Sequence, residues 1–337
     1  MSVLAIALSA AIAWLATAAL AVGRGVVILD HPNERSLHSQ PTPRTGGLAI
    51  VAAVLAGHLG LVLAGRLPVM PSLWAGAALV FSVSVADDVR HMPAGVRMLV
   101  HLVAASLLLV PGPGLEHIAL PGVSLSLSGP VAGVVTILFV AWVTNLYNFM
   151  DGMDGLAGGM GVLGFGCYGL LAWRADAAPM AISCLVIAAA CAGFLAHNFP
   201  PARIFMGDAG SSVLGFLAGA FAVHADAAGY FPLWISVLVF SPFIVDASVT
   251  LVRRLLRGER VWRAHRSHFY QRLVAAGWSH RRTTLCEYAL MVTCAAAALL
   301  AAGAPAGWQA PVLWVIVLVY AMLIVCVRRF ERHRDIP

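Results

Sequence analysis

Two stretches of the chain place carboxyl and amide side chains where apolar runs end. In one of them, Asp87 and Asp88 close an apolar run as adjacent carboxylates. In the other, two amides and two acids recur at steps of three residues, which would align them on one face of a helix: Asn145, Asn148, Asp151 and Asp154. Adjacent carboxylates at a membrane boundary repel each other unless a cation or a proton offsets them. Such oxygen ligands favour Mg²⁺, which commonly bridges a few carboxylates to phosphates.

Three further stretches supply glycines, one acid and basic side chains. Asp208 lies in FMGDAGSS, where a Gly-rich helix start offers free N–H groups to an anion. DHPNERSLHSQPTPRTGG and HRSHFYQRL carry basic side chains that can meet phosphate oxygens: Arg35, His38, Arg44, His265, Arg266 and His268. Taken singly, these stretches could also be helix caps, headgroup contacts or close helix packing. Together they predict binding of a metal–anion complex, in which a cytosolic phosphate compound meets a lipid-soluble partner.

The elements that must position these residues are membrane helices. The 337 residues are 61% apolar and 11% charged, whereas about a quarter of a soluble domain is charged. The mean hydropathy of +0.88 excludes a disordered chain, a fibrous repeat and a secreted disulfide scaffold. Apolar windows that can span roughly 30 Å of hydrocarbon recur about eleven times. The windows are Val3–Val22, Gly46–Ala64, Pro71–Ala86, Met98–Val110, Gly129–Tyr147, Leu156–Trp173, Pro179–Ala196, Ser211–Ala227, Tyr230–Thr250, Leu285–Gly303 and Gln309–Val327. We therefore predict an all-α polytopic integral membrane protein, with residues 1–337 forming one transmembrane catalytic domain.

Arginine counting orients the predicted helices. With the N-terminus outside and the C-terminus in the cytoplasm, nearly all of the 21 basic residues lie inside, against Arg66 and Arg174 outside. The cytoplasmic loops that carry the five stretches are then 23–45, 87–97, 145–158, 197–212 and 251–284. Period-two alternation around Pro121-Gly122 predicts a short outer β-hairpin near 116–128. Pro242 predicts a kink in the ninth window, with Asp246 one turn later.

The five stretches, in this order, resemble the motifs of the polyprenyl-phosphate N-acetylhexosamine-1-phosphate transferases (MraY/WecA type, glycosyltransferase family 4). The resemblance runs from about Asp30 to Arg272, and the chain looks most similar to the WecA/WbpL-like branch. It implies transfer of an N-acetylhexosamine or deoxyhexosamine 1-phosphate from a UDP-sugar to undecaprenyl phosphate, with release of UMP. It also implies that Mg²⁺ is required, with Mn²⁺ as a substitute. The implied setting is the bacterial inner (cytoplasmic) membrane, where O-antigen, capsule or other lipopolysaccharide-type glycans of the cell envelope begin.

The resemblance also implies roles for individual residues. Asp208 and Asp151 match the Mg²⁺ ligands, and Asp154 supports the same face. Asp87 and Asp88 match the acidic pair that acts on the acceptor phosphate or in proton transfer. The residues that match substrate-binding positions are Arg35, His38, Arg44, Asn145, Asn148, His265, Arg266 and His268.

Two departures from the family pattern bear on the donor. Ser36 stands where many members have a lysine, so the neighbouring basic residues must supply that charge. HRSHFYQRL replaces an HHHFE-type run, which argues against a muramoyl-pentapeptide donor. A UDP-GlcNAc-specific enzyme of the same family stays open, as does a homodimer, and no nucleic-acid partner is expected. From other classes, an ion-coupled transporter using Asp246 conflicts with acids clustered on one side, and a structural anchor leaves the five loops unexplained.

Overall fold

A computed structural model describes residues 2–26, 28–32, 37, 40–112, 114–260 and 265–332 of the chain. The helices of the described part are α1 (Ser2–Ala21), α2 (Gly46–Leu63), α3 (Pro71–Arg90), α4 (Ala94–Ser106), α5 (Gly129–Phe149), α6 (Leu156–Arg174), α7 (Ala178–Asn198), α8 (Asp208–Ala227), α9 (Leu233–Val239), α10 (Ser241–Leu256), α11 (Phe269–Ala275), α12 (His280–Gly303) and α13 (Ala306–Arg332). Two antiparallel pairs of short strands complete the fold: β1 (Leu29–Asp30) with β2 (Thr42–Pro43), and β3 (His117–Leu120) with β4 (Val123–Ser126).

Helices occupy every apolar window identified in the sequence. Within the described ranges, eight of them are long and apolar enough to cross a membrane, or up to nine if the bent pair α9–α10 forms one span. The protein is therefore a multi-pass membrane protein built mostly of helices. The total of eleven spans and the orientation with the N-terminus outside stay predictions. Strands β3 and β4 pair around Pro121 and Gly122, where the alternation predicts a hairpin, and its position on the outer face also stays a prediction.

The core lies around α6, α7 and α8, and the first and last helices lie at the edge. In the membrane-spanning window of α6, 72% of the residues are buried, against 6% in the window of α13. Small residues allow this close packing. A Cβ atom on Gly159 would lie 2.0 Å from the ring of Tyr288, and one on Gly161 would lie 2.6 Å from Cys191 Sγ. The glycines of α6 therefore serve helix packing, whatever else they do.

The ninth window is a broken helix. Its halves α9 and α10 meet at an angle of 83°, and Pro242 occupies the first turn of α10. The kink predicted at Pro242 is confirmed. Because the chain turns here, α10 leads away from α9 and carries Asp246 towards residues 265–270.

Strands β1 and β2 bring the two ends of the first loop together, a pairing that the sequence pattern does not predict. Leu29 pairs with Pro43 and Asp30 with Thr42. The loop then continues along the segment before α8, because Phe205 N–H donates to Pro43 O over 2.7 Å and Gly47 N–H donates to Met206 O over 2.7 Å. The first loop is thus attached to the start of α8.

Candidate active site

The end of α3 and the start of α8 bring two carboxylates to one arginine. Asp87 accepts hydrogen bonds from the Arg97 guanidinium and, over 2.5 Å, from the Met92 N–H. The same Arg97 nitrogen, Nη1, lies 3.3 Å from Asp208 Oδ2. Arg97 therefore lies between carboxylates that are far apart in sequence. The site residues predicted from the sequence do not include it, although a basic residue soon after the ADDVR stretch is a usable signal.

Asp88 is buried at 5% exposure and directs its carboxylate into the protein. It accepts the N–H groups of Asp208 and Ala209, over 3.2 and 3.1 Å, and so caps the N-terminus of α8. It also accepts a 2.7 Å hydrogen bond from Arg44 Nη2. Both oxygens of Asp88 are thus engaged by the chain itself. The structure places Asp88 in the cluster, but in a position that suits a structural role.

The Gly46-Gly47 pair permits close contact between two segments of backbone. A Cβ atom on Gly47 would lie 2.3 Å from Gly210 N, and one on Gly207 would lie 2.3 Å from Arg44 O. Gly207 also has a φ of +74°, which side-chain-bearing residues rarely adopt. These glycines dock the first loop against the start of α8. Arg44, which ion-pairs with Asp88, is carried into the cluster by this contact.

The expected helical face of two amides and two acids is wrong. Helix α5 ends at Phe149, and the chain then turns through Gly155, whose φ is +75°. Asn145, still within α5, contacts His101 Nδ1 at 3.1 Å and donates to Ala141 O over 2.7 Å. Asp154 accepts the Ala202 N–H over 3.0 Å and lies 3.2 Å from His280 Nδ1. Neither residue contacts the acid cluster: Asn145 contacts α4 through His101, and the turn brings Asp154 to Ala202 and His280.

Asn148 and Asp151 do point to the cluster. Asn148 Nδ2 lies 2.9 Å from both Asp208 Oδ1 and Ser211 Oγ. The Asp151 carboxylate accepts no hydrogen bond from any residue that the structure describes. Burial, and then the neighbouring carboxylates of Asp208 and Asp88, raise the pKa of Asp151 well above its usual range. Asp208, which precedes the predicted span, has its pKa raised to about 7 by burial and by Asp87.

The donor chemistry of this cluster fits Mg²⁺. Within the described part of the chain, no three His, Cys, Asp or Glu side chains are arranged to hold a metal ion. Arg97 pairs with Asp87 and contacts Asp208, so its cationic group lies between these two carboxylates. Among the described residues none donates a hydrogen bond to Asp151, and the repulsion from Asp208 and Asp88 outweighs the attraction of the Arg44 guanidinium. A hard divalent cation bound by Asp151 and Asp208 would relieve that repulsion.

The last predicted loop is held by a buried acid on α10. Asp246 lies 3.2 Å from His268 Nδ1 and accepts the N–H groups of Phe269 and Tyr270 over 2.9 and 3.4 Å. Thr250 donates a further hydrogen bond over 3.1 Å. Asp246 thereby orients His268 and caps α11. The sequence motifs do not assign Asp246 to the transferase site, although its position one turn after Pro242 is a usable signal.

His265 packs beside His268, with ring centroids 4.8 Å apart. Its Nδ1 accepts the Ser267 N–H over 3.2 Å. Burial and the neighbouring His268 lower the pKa of His265 to about 4. Arg266 is exposed beside this pair. The Tyr270 hydroxyl lies 3.5 Å from Phe149 O, so this loop reaches the turn that carries Asp151.

Arg35 and His38, both predicted to bind substrate, lie outside the described residues, as does Ser36. The described part of that loop contributes Arg44 to the cluster.

Fold and site together define a multi-pass membrane enzyme whose acidic centre lies at the ends of apolar helices. The sequence profile of glycosyl transferase family 4 matches residues 70–226, which include Asp87, Asp151 and Asp208. The chain is 30% identical to a decaprenyl-phosphate N-acetylglucosaminephosphotransferase of Mycolicibacterium smegmatis, over 80% of this chain and 73% of that protein. It is 29% identical to a probable undecaprenyl-phosphate N-acetylglucosaminyl 1-phosphate transferase of Bacillus subtilis, over 77% and 73%.

A third relative, the undecaprenyl-phosphate alpha-N-acetylglucosaminyl 1-phosphate transferase of Yersinia pestis, is 28% identical over 81% of this chain and 75% of that protein. The chain belongs to glycosyl transferase family 4 and is a glycosyl-1-phosphate transferase.

Proposed function

We propose that the protein transfers an N-acetylhexosamine 1-phosphate from a UDP-sugar to undecaprenyl phosphate, releasing UMP. The observation that carries this proposal is the convergence of Asp87, Asp151 and Asp208 with Arg44 and Arg97 at the ends of apolar helices. The arginines supply positive charge for a diphosphate. The helix ends lie where the phosphate of a membrane lipid can reach the site. The proposed location is the cytoplasmic face of a bacterial inner membrane, where nucleotide sugars are present.

UDP-N-acetylglucosamine is the first donor to test. Three relatives that align over most of this chain carry N-acetylglucosamine in their names. The HRSHFYQRL run keeps N-acetylated deoxyhexosamines as the second choice, with initiation of O-antigen or capsule glycans as the corresponding role. Discrimination between sugars that differ by one hydroxyl group depends on which polar groups of the site are left unpaired.

Asp151 and Asp208 would hold Mg²⁺, which supplies positive charge to the donor diphosphate when bound. In the proposed reaction, an oxygen of the lipid phosphate attacks the β-phosphorus of the UDP-sugar. The new O–P bond forms as the bond from the β-phosphorus to the oxygen that links it to the α-phosphorus breaks, and UMP leaves with that oxygen. The main task of the protein is to align the two phosphates and to offset their charge.

Asp87 is suited to position the acceptor or to relay a proton. The second pKa of a phosphomonoester is about 6, so the acceptor is largely dianionic at neutral pH and needs no strong base. Arg97 joins Asp87 to Asp208 and would also face a bound phosphate. His268, held by Asp246, is suited to contact the donor phosphates or sugar.

The test is a panel of UDP-sugars with purified protein and undecaprenyl phosphate, with and without Mg²⁺, read by product mass and UMP release. We expect a lipid-linked sugar diphosphate to form from at least one donor, only when a divalent cation is present. Mn²⁺ serves as the second cation to try. Asp208→Asn is the inactive control, and its folding is checked by gel filtration. Absence of product with every donor would refute the proposal, as would sugar uptake into vesicles without UMP release.

A further inference from the structure

A cavity lies between α10, α11, α12 and α13. Its volume is about 520 Å³ and its wall is mostly apolar, with Pro242, Leu290, Tyr320 and Phe330 among its lining residues. Helices α12 and α13 turn other large apolar side chains outward, including Leu318 at 66% exposure. The cavity therefore borders a surface suited to lipid.

One carboxylate in this wall lacks a partner. Glu287 lies in the third turn of α12, where its half-buried side chain lines the cavity. It forms no hydrogen bond and no ion pair with any residue in the described part of the chain. Asp246, the other acid of the wall, is satisfied by backbone N–H groups and His268. Among the residues that the structure describes, Glu287 is thus a polar group without a partner.

The cavity selects among the ligands that could pair with Glu287. A bare metal ion needs several oxygen ligands, whereas this wall offers one unpaired carboxylate among apolar and aromatic groups. A hydrocarbon chain alone would fill the space but leave the carboxylate without a partner. An ammonium group carried by a lipid supplies a cation, N–H donors and an apolar body together.

The start of α12 adds a complementary charge. Arg281 and Arg282 are exposed there, and the Arg282 guanidinium lies 3.9 Å from the ring centroid of Trp278, a lining residue. A phosphodiester at the Trp278 end of the cavity would lie near the Arg282 guanidinium. We propose that this cavity binds a membrane phospholipid with a primary-ammonium headgroup, of the ethanolamine type, and that Glu287 is the ion-pair partner of the ammonium. The cavity shares Asp246 with the loop that holds His268, but lipid retention is measured without a UDP-sugar, so the two proposals can fail separately.

The test compares lipid retention by detergent-purified protein in native mass spectrometry. The probes are phosphatidylethanolamine and phosphatidylglycerol with identical acyl chains. We expect the wild type to retain the ethanolamine lipid in preference by about tenfold, as for a partly desolvated ion pair. Glu287→Gln should lose this preference, and Glu116→Gln, which changes an exposed glutamate elsewhere, should keep it.

A second variant guards against a folding defect. Leu290→Trp leaves Glu287 in place and fills part of the cavity, and it should lose the same preference. Thermal unfolding of each variant without lipid confirms that it is folded. Equal retention of both lipids by the wild type, or an unchanged preference in Glu287→Gln, would overturn the proposal.

Discussion

The role of Asp88 can be separated from that of Asp151 by measuring stability and activity in parallel. Replacing Asp88 by Ala removes the acceptor of two N–H groups at the start of α8 and of the Arg44 guanidinium. Breaking a buried ion pair on one side costs about 3–5 kcal/mol, because the remaining charge is left without compensation. Arg44 keeps a weaker partner in Asp30, 3.8 Å away. We therefore expect Asp88→Ala to lower the free energy of unfolding by about 3 kcal/mol, the lower end of that range.

Asp88→Asn keeps the shape and one acceptor oxygen but loses the charge. We expect it to lower the free energy of unfolding by about 2 kcal/mol, the usual size for a hydrogen bond to a charged group. Asp151→Asn is the matched control, because no described residue donates to Asp151 and its neighbours repel it. That variant should be as stable as the wild type, or more stable by up to about 1 kcal/mol.

Unfolding in detergent, followed by tryptophan fluorescence along a denaturant titration, gives the three free energies. UMP release from the same preparations gives activity. Asp151→Asn should be inactive though stable, whereas Asp88→Asn should be less stable and keep measurable turnover. The interpretation of Asp88 as a helix cap fails if Asp88→Ala unfolds within about 0.5 kcal/mol of the wild type, the usual range for surface changes.

Three further predictions concern the metal, the last loop and the turn after α5. Burial and Asp87 raise the pKa of Asp208 to about 7, so protons should compete with Mg²⁺ at this carboxylate. The affinity for Mg²⁺ should therefore fall by up to about tenfold for each pH unit below 7. Calorimetry at pH 6 and 8 measures this affinity, and equal values would contradict the prediction. Asp246→Asn should raise the KM for the UDP-sugar by about 10–100-fold, because Asp246 orients His268. Asp226→Asn is the control. An unchanged KM would show that His268 does not bind the donor. Gly155→Ala should destabilise the protein by about 1–2 kcal/mol, because the φ of Gly155 is +75°. Gly166→Ala is the control, because a Cβ atom there meets open space. Equal free energies of unfolding for the two variants would refute the argument.

Several features could be read from the sequence because they depend on local pattern. Apolar windows predict helices wherever the backbone must satisfy its own polar groups in lipid, and helices occupy every one of those windows. Pro242 predicts the bend before α10 because a proline removes a hydrogen bond and clashes with the preceding turn. The acids were also recognisable, because carboxylates at the edges of apolar runs are costly and need a reason to be there.

What only the tertiary structure decides is which partner each polar side chain meets. Asp87 and Asp88 are neighbours in sequence, yet one pairs with Arg97 and the other caps α8. Successive side chains of a helix point in different directions, and the packing of the helices decides which distant segment each of them contacts. The glycine turn after α5 separates Asp151 from Asp154 for the same reason, since spacing along the chain reports a shared face only while the helix continues.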